Sequence, residues 1–207
     1  MRRSVVMVAA AAAIGVMAVE VVPMTIDPVV AAAQSPSEKS PASDAASPDP
    51  LIGLLLERLN TADAVIAAKW VSARGQYPVI DDPAREQVVY DSMSRAGTAL
   101  GLPESWVRQV FAGQIEANKM VQRGLLARWR LDPGSAPRTS PDLTAVRPII
   151  DRVNLQILRQ LAQRRTELRA PDCAIRLSTG VFGVFGSGRS DALHETALVR
   201  AAASVCG

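Results

Sequence analysis

The first helical pattern of the chain, in residues 51–70, carries two cations on a face that should be buried. At about 100° per residue, one stripe of this helix consists of Leu54, Arg58, Ala62, Val65 and Lys69. Arg58 and Lys69 lie 11 residues apart, which is about three helical turns, so they share that face. Burial of an unpaired cation there would destabilise the folded protein, because the charge loses its hydration. We therefore expect an anionic partner for both, or contact of their charged ends with solvent, Asp63 or Glu57.

Apolar periodicity and capping residues predict three further helices, of which the first is short and mixed in polarity and the other two are long. The second helix begins with an N-cap aspartate followed by proline, and Pro103 opens the third. The first helix should begin near residues 47–49 and end at about residue 73, and the other three predicted ranges are 82–101, 103–131 and 143–168. One or two short helices should follow residue 171, with the glycine-rich residues 180–190 between them as loop and loose helix end.

Polar side chains recur at helical spacing in the second and third helices. Asp82, Arg85 and Glu86 share the first turn of the second helix, where an ordinary surface ion pair would also explain them. Asn118 and Gln122 lie four residues apart on one face of the third helix, and each can donate and accept hydrogen bonds. Taken singly, each group is compatible with solvent exposure.

The beginning of the fourth helix carries a further cation, Arg147, directly before Pro148. A proline disfavours helical geometry at the preceding residue and removes a backbone donor. We therefore expect Arg147 near the start of that helix, and its direction stays open.

The composition supports a helical fold and excludes several classes of function. The chain of 207 residues is 48% hydrophobic and only 4% aromatic, which favours an all-α fold over a β-sandwich or barrel. Basic residues are interspersed with acidic ones despite a net charge of +3, so we expect no nucleic-acid partner. One histidine and two cysteines cannot assemble a familiar zinc site, so we expect no metal.

The amino-terminal residues 1–33 are typical of a secretory signal peptide. Two early arginines precede an apolar run over residues 5–19, and three alanines end the segment before Gln34. The alternative is a membrane anchor, but the uncharged run ends at Glu20 and is short for a bilayer span. We expect a secreted or periplasmic protein without membrane association after cleavage.

Residues 34–50 are rich in proline, serine and alanine, which predicts a disordered linker before a single domain over residues 51–207.

Export also predicts a disulfide between the two cysteines, because paired cysteines outside the cytoplasm usually form one. A Cys173–Cys206 bridge would close a loop of about 33 residues and stabilise the fold by roughly 3 to 4 kcal/mol. Two free buried thiols are the alternative.

Five motifs in this order make the chain resemble the secreted chorismate mutases of the all-helical class, the exported gamma subclass of bacteria. They are ERLNTADAVIAAKW (57–70), the Asp82-Pro-Ala-Arg85 start of the second helix, VFAGQIEANKMVQ (110–122), WRLDPGSAPRTSPDLTAVR (129–147) and the final cysteine pair. Together they extend over about 150 residues. The resemblance implies a bundle-like helical fold with a disulfide-pinned C-terminal part, one complete active site per chain and a homodimer.

The resemblance also implies a reaction, the rearrangement of chorismate to prephenate in aromatic amino acid biosynthesis, which needs no cofactor or metal. Carried over by motif, Arg58 and Arg147 would clamp the two substrate carboxylates. Lys69 would contact a carboxylate and the ether oxygen, and Gln122 would donate a hydrogen bond to that oxygen. Some members of the family carry a glutamate at the position of Gln122, which must be protonated to donate.

The remaining positions implied by the resemblance surround this group. Asp82 and Arg85 would position the ring hydroxyl and a carboxylate, Asn118 would add a hydrogen bond near Gln122, and Glu86 would be a further contact. Two alternatives stay open. An isochorismate pyruvate-lyase would share the fold and a cationic pocket, whereas a non-catalytic helical binding module would show an occluded pocket or cations paired with protein carboxylates.

Overall fold

Seven α-helices and one short 3₁₀ turn are present in the computed structural model, which describes residues 49–188 and 190–207. The helices are α1 (Pro50–Ser72), α2 (Pro83–Ala99), α3 (Glu104–Leu131), α4 (Leu143–Gln163), α5 (Arg165–Leu168), α6 (Cys173–Phe185) and α7 (Ala192–Ala202), with the 3₁₀ turn at Pro133–Ser135. These ranges contain no β-strand, which confirms the predicted all-α fold. The signal peptide predicted for residues 1–33 and nearly all of the linker lie outside the described residues.

Three aspartates set the starts of the helices that carry most of the predicted site. Asp49, Asp82 and Asp142 each accept a backbone N–H from the helix that follows, at 2.8, 3.0 and 2.8 Å. Such side-chain caps satisfy donors that a first helical turn leaves open. A proline follows the first two aspartates at the first helical position, where its fixed backbone angle suits the helix. The predicted starts of these helices are therefore confirmed.

Two predicted boundaries differ from the structure. Helix α4 continues through Pro148 and ends at Gln163, so the single helix predicted to reach residue 168 is broken into α4 and α5. Pro148 is tolerated because it lies in an exposed early turn, where water can bind the carbonyl that loses its partner. Arg147 accordingly lies near the start of α4, but its backbone is helical.

The glycine-rich residues 180–190, predicted as loop and loose helix end, are more regular than expected in their first half, because α6 extends to Phe185. Val181 and Val184 are buried on the core side of this helix, so packing outweighs the low helix propensity of its glycines. Gly180 also has a packing role, since a Cβ atom there would lie 3.0 Å from Ile52 Cγ1 of α1.

Helices α1 and α3 form the centre of the core. α1 packs against α3, α4 and α7, and α3 also packs against α2 and α7. The largest completely buried side chains are Phe111, Leu51, Ile52, Leu55, Leu59, Ile66, Leu126, Ile157, Leu158, Leu161, Leu168 and Leu198. Since both central helices are fixed on several sides, side chains that they direct toward α2 and α4 are held on a rigid support.

The C-terminal segment is fastened to the rest of the fold by a disulfide and by α3. Cys173 and Cys206 are bonded, with an S–S distance of 2.08 Å, which confirms the predicted pair and rules out free thiols. Trp106 of α3 donates from Nε1 to the carbonyl of Val205 at 2.8 Å.

None of the helices in the described ranges is long and apolar enough to span a membrane.

His194 joins α7 to α1 between two carboxylates. Its buried ring places Nε2 3.0 Å from Asp63 Oδ1 and Nδ1 2.9 Å from Asp191 Oδ1. The hydrogen bonds to Asp63 and Asp191 raise the pKa of His194 from 6.5 to about 9. At neutral pH an imidazolium therefore connects the two helices.

Replacement of His194 by glutamine should make stability less dependent on pH. We expect the wild-type free energy of unfolding to exceed that of His194→Gln by about 1 kcal/mol at pH 6, because the folded state favours the charged ring. The raised pKa makes this contribution complete below pH 6.5 and lost as the pH rises through about 9. Solvent screens both carboxylates, which are more than half exposed, and keeps the value small. Urea denaturation at pH 6, 7.5 and 9.5 measures the difference, and a difference that does not change with pH would contradict this role.

Candidate active site

A cavity of about 400 Å³ opens among α1, α2, α3 and α4. The structure brings all eight predicted site residues to its wall, namely Arg58, Lys69, Asp82, Arg85, Glu86, Asn118, Gln122 and Arg147. The other lining residues are mostly aliphatic and consist of Thr61, Val65, Ile80, Val89, Ile115, Lys119, Leu143, Val146 and Ile150. The wall thus combines a set of convergent polar groups with apolar surfaces, as small-molecule sites usually do.

Arg58 is the most buried cation of this wall, with 5% of its surface exposed. Its Nε donates to Asn154 Oδ1 at 2.8 Å and its Nη1 donates to the carbonyl of Gln114 at 3.1 Å. Both acceptors are neutral, and burial lowers the pKa of Arg58 to about 10. The guanidinium therefore stays charged at neutral pH with no carboxylate partner among the residues that the structure describes.

The two carboxylates on α1 that could have neutralised Arg58 or Lys69 have other partners. Glu57 pairs with Arg152, and Asp63 contacts His194. The alternative that these acids absorb the charges of the stripe is therefore wrong. The orientation of α1 separates its charges, because its cations face the cavity while its acids face α4 and α7.

Lys69 also reaches the cavity without a salt bridge in the described part of the chain. Its Nζ donates to the carbonyl of Ile80 at 3.0 Å, in the segment that leads into α2. Burial lowers the pKa of Lys69, and the nearby charges of Asp82, Asp81 and Glu86 oppose that shift without forming a contact pair. An anion in the cavity could supply the missing partner.

Asn118 and Gln122 form a hydrogen-bonded chain along α3. Gln122 Nε2 donates to Asn118 Oδ1 at 2.7 Å, and Asn118 Nδ2 donates to the carbonyl of Arg58 at 3.5 Å. Gln122 is buried, and its Oε1 has no hydrogen-bond partner within residues 49–188 and 190–207. A buried polar atom without a partner costs free energy, so a ligand group that donates a hydrogen bond to this oxygen would relieve that cost.

The first turn of α2 supplies three polar groups with different surroundings. Asp82 is the N-cap and accepts the N–H of Arg85 at 3.0 Å, which fixes the turn. Glu86 Oε1 lies 2.7 Å from Lys119 Nζ, so its charge is balanced by the protein. Arg85 is exposed, and it forms no salt bridge with a described residue.

Lys119 is the charged residue of the wall that the sequence reading missed. It follows Phe111 and Ile115 at steps of four along α3, on a stripe whose other two members are buried. The same criterion that singled out Arg58, a cation on an apolar stripe, would have found it. Burial lowers the pKa of Lys119, but the shift is upward overall, because the hydrogen bonds that its ammonium donates to Glu86, Glu116 and Asp81 favour the charged form.

The cavity wall is strongly cationic as a whole. Its five cations are Arg58, Lys69, Arg85, Lys119 and Arg147, and its two carboxylates are Asp82 and Glu86, so five positive and two negative charges give a net +3. Such a site favours a small ligand with two negative charges over a neutral one.

Comparison with known proteins decides the family. The family model described as Chorismate mutase type II matches residues 49–123. The chain is 34% identical over 165 residues to the secreted chorismate mutase of Mycolicibacterium smegmatis, and the match covers 80% of this chain and 89% of that protein. This chain belongs to the chorismate mutase family.

Further chorismate mutases support this assignment. The secreted chorismate mutase of Mycobacterium tuberculosis is 33% identical over 156 residues, covering 75% of this chain and 76% of that protein. The crystal structure of the chorismate mutase from Burkholderia phymatum superimposes with a TM-score of 0.69 at 34% identity, covering 76% of this chain and 94% of that one. The family match contains seven of the eight predicted site residues, whereas Arg147 lies beyond its end at residue 123.

The unpaired cations of this chorismate mutase fold predict that Lys69 does not stabilise the free protein. We expect Lys69→Met to leave the free energy of unfolding unchanged or to raise it by up to about 1 kcal/mol, because methionine fills similar space without a desolvated charge. Urea denaturation without ligand measures this. A loss above about 2 kcal/mol would mean that the bond to the carbonyl of Ile80 outweighs the desolvation of the ammonium.

Proposed function

We propose that this protein is a chorismate mutase enzyme that rearranges chorismate to prephenate within its α1–α4 cavity. The observation that carries the proposal is the presence of Arg58 and Lys69 on the cavity wall without carboxylate partners in the described residues. Chorismate carries two carboxylates, so its binding would supply the anions that both cations lack. The membership of the chorismate mutase family supports the same conclusion.

The rearrangement is a unimolecular [3,3] shift in which one C–O bond breaks while one C–C bond forms. Such a step requires the flexible dianion to be held in a compact conformer in which the two reacting carbons are close. It is also accelerated by positive charge and hydrogen-bond donors directed at the ether oxygen, where negative charge develops. The rigid cationic cavity is suited to both tasks.

The cations of α1 and α4 would bind the ends of the substrate. We assign one carboxylate to the buried guanidinium of Arg58 and the other to Arg147, which lines the cavity from α4. Lys69 would contact a carboxylate and the ether oxygen. Gln122 would donate to that oxygen, since its Nε2 carries a second N–H besides the one bound to Asn118.

The first turn of α2 would position the ring of the substrate. Asp82 and Arg85 would orient the ring hydroxyl and a carboxylate, and Glu86 would be a further contact from the same turn. Asn118 would act on Gln122 through the hydrogen bond between them, which limits rotation of the Gln122 amide.

The relatives also support a proposal for where the enzyme acts. Both curated relatives are named secreted chorismate mutases, which supports export of this chain as well. We propose that residues 1–33 are a cleaved signal peptide and that the mature protein is a homodimer in the periplasm or outside the cell.

Turnover of chorismate by protein purified after export tests the function. We expect the wild type to form prephenate and Lys69→Met to lose about 10²- to 10³-fold in kcat, the range for removal of a transition-state contact. Arg159→Met is the matched control, because Arg159 is exposed on α4 and does not line the cavity. Products are identified by chromatography, since salicylate and pyruvate from isochorismate would indicate a lyase instead. Absence of any turnover would contradict the proposed function and favour a non-catalytic binding module.

The amide of Gln122 predicts activity that does not depend on pH near neutrality. An amide donates a hydrogen bond at any pH, whereas a glutamate donates only when protonated. We expect the wild-type kcat to stay within about twofold from pH 5 to pH 8, and that of Gln122→Glu to fall about tenfold for each pH unit above the pKa of the new carboxyl. A steep decline of the wild type in this range would contradict the role of Gln122.

A further inference from the structure

Lys119 differs from the other cavity cations because carboxylates surround it. Its Nζ lies 2.7 Å from Glu86 Oε1, 2.9 Å from Glu116 Oε1 and 3.1 Å from Asp81 Oδ1. The side chains of Lys119 and Glu86 are 10% and 19% exposed, whereas those of Glu116 and Asp81 are 42% and 58% exposed. The pair between Lys119 and Glu86 is therefore both the shortest and the least hydrated of the three.

Glu86 connects this ion pair to the beginning of α2. Its Oε1 also accepts the N–H of Asp82 at 3.4 Å, and Asp82 in turn caps the helix through the N–H of Arg85. All three residues line the cavity. A displacement of Glu86 would consequently move the other two polar groups of this turn.

Asp81 provides a second connection between this segment and α3. Lys119 contacts Asp81 from the cavity side, while Arg123 contacts the same carboxylate at 3.0 Å from one turn further along α3. Arg123 does not line the cavity and forms no salt bridge with Glu86 in the described residues. The two cations therefore share one partner and differ in their access to Glu86.

We propose that Lys119 is a positioning residue that acts through Glu86, holding the first turn of α2 against the cavity and balancing the charge that Glu86 would otherwise present to a dianion. Removing one member of a poorly hydrated ion pair leaves the other charge uncompensated, and that charge then repels an anionic substrate or turns toward solvent. This inference rests on the proposed chorismate mutase activity.

A cation could also assist without acting through Glu86, by attracting the dianion from a distance or by touching it. These roles make different predictions. A contribution through Glu86 disappears when Glu86 is neutral, whereas direct or long-range attraction persists in that background. Long-range attraction also weakens at high ionic strength.

A double-mutant cycle on the protein purified after export tests the inference. We expect Lys119→Met to lower kcat/KM about 10- to 100-fold in the wild-type background and less than about threefold in a Glu86→Gln background. The ratio between wild type and Lys119→Met should persist in 0.5 M NaCl. The matched control Arg123→Met, which removes the same charge one turn away, should change kcat/KM less than about twofold. Equal losses in both backgrounds, or a loss that salt abolishes, would overturn the proposal.

Hydrogen exchange gives a readout that does not depend on turnover. The backbone N–H of Arg85 donates to the side chain of Asp82 at 3.0 Å, and the N–H of Glu86 donates to the carbonyl of Asp82 at 2.9 Å. Both amide hydrogens should exchange faster in Lys119→Met than in the wild type and in Arg123→Met. Inactivity of the wild type would refute only the proposed function, because the exchange rates would still test whether Lys119 holds the first turn of α2. Equal exchange in the three proteins would overturn the proposed role of Lys119. If circular dichroism shows Lys119→Met to be unfolded, Lys119→Gln takes its place in both measurements.

Discussion

The burial of a charged guanidinium among neutral acceptors is the constraint on which the rest of the site depends. Arg58 is held by Asn154 of α4 and by a backbone carbonyl of α3, so one side chain joins the three long helices. Hydrogen bonds to neutral groups fix its direction while leaving its charge uncompensated. The fold thereby stabilises a cation in an orientation that only an anionic ligand completes.

The surrounding charges are sorted by the same geometry. Three carboxylates near the site, Glu57, Asp63 and Glu86, contact Arg152, His194 and Lys119, respectively. Arg58 and Lys69 line the cavity and form no salt bridge with a described residue. Family membership and this distribution of charge therefore agree, although they come from independent observations.

Local signals in the sequence predicted the first two helix starts well, because Asp49 and Asp82 cap through bonds to residues two or three positions away. That the eight site residues would lie around one cavity was predicted from the motifs of the family, because helical periodicity does not indicate which helices are neighbours. A regular helix over residues 180–185, rather than a loose helix end, was not predictable locally, because it depends on packing of two valines against distant helices. The burial of Lys119 was detectable from its apolar stripe on α3, but its pairing with Asp81 and Glu86 was not, because these carboxylates lie more than 30 residues away in the sequence.

Because the cavity wall carries a net positive charge, anions of the surrounding medium affect the binding of substrate. A site that lacks its counter-anions attracts small inorganic dianions such as sulfate and hydrogen phosphate as well as its own substrate. Outside the cytoplasm the concentrations of such ions follow the surroundings rather than the cell. The apparent affinity for substrate is then set jointly by the residues of the wall and by the ions that compete for them.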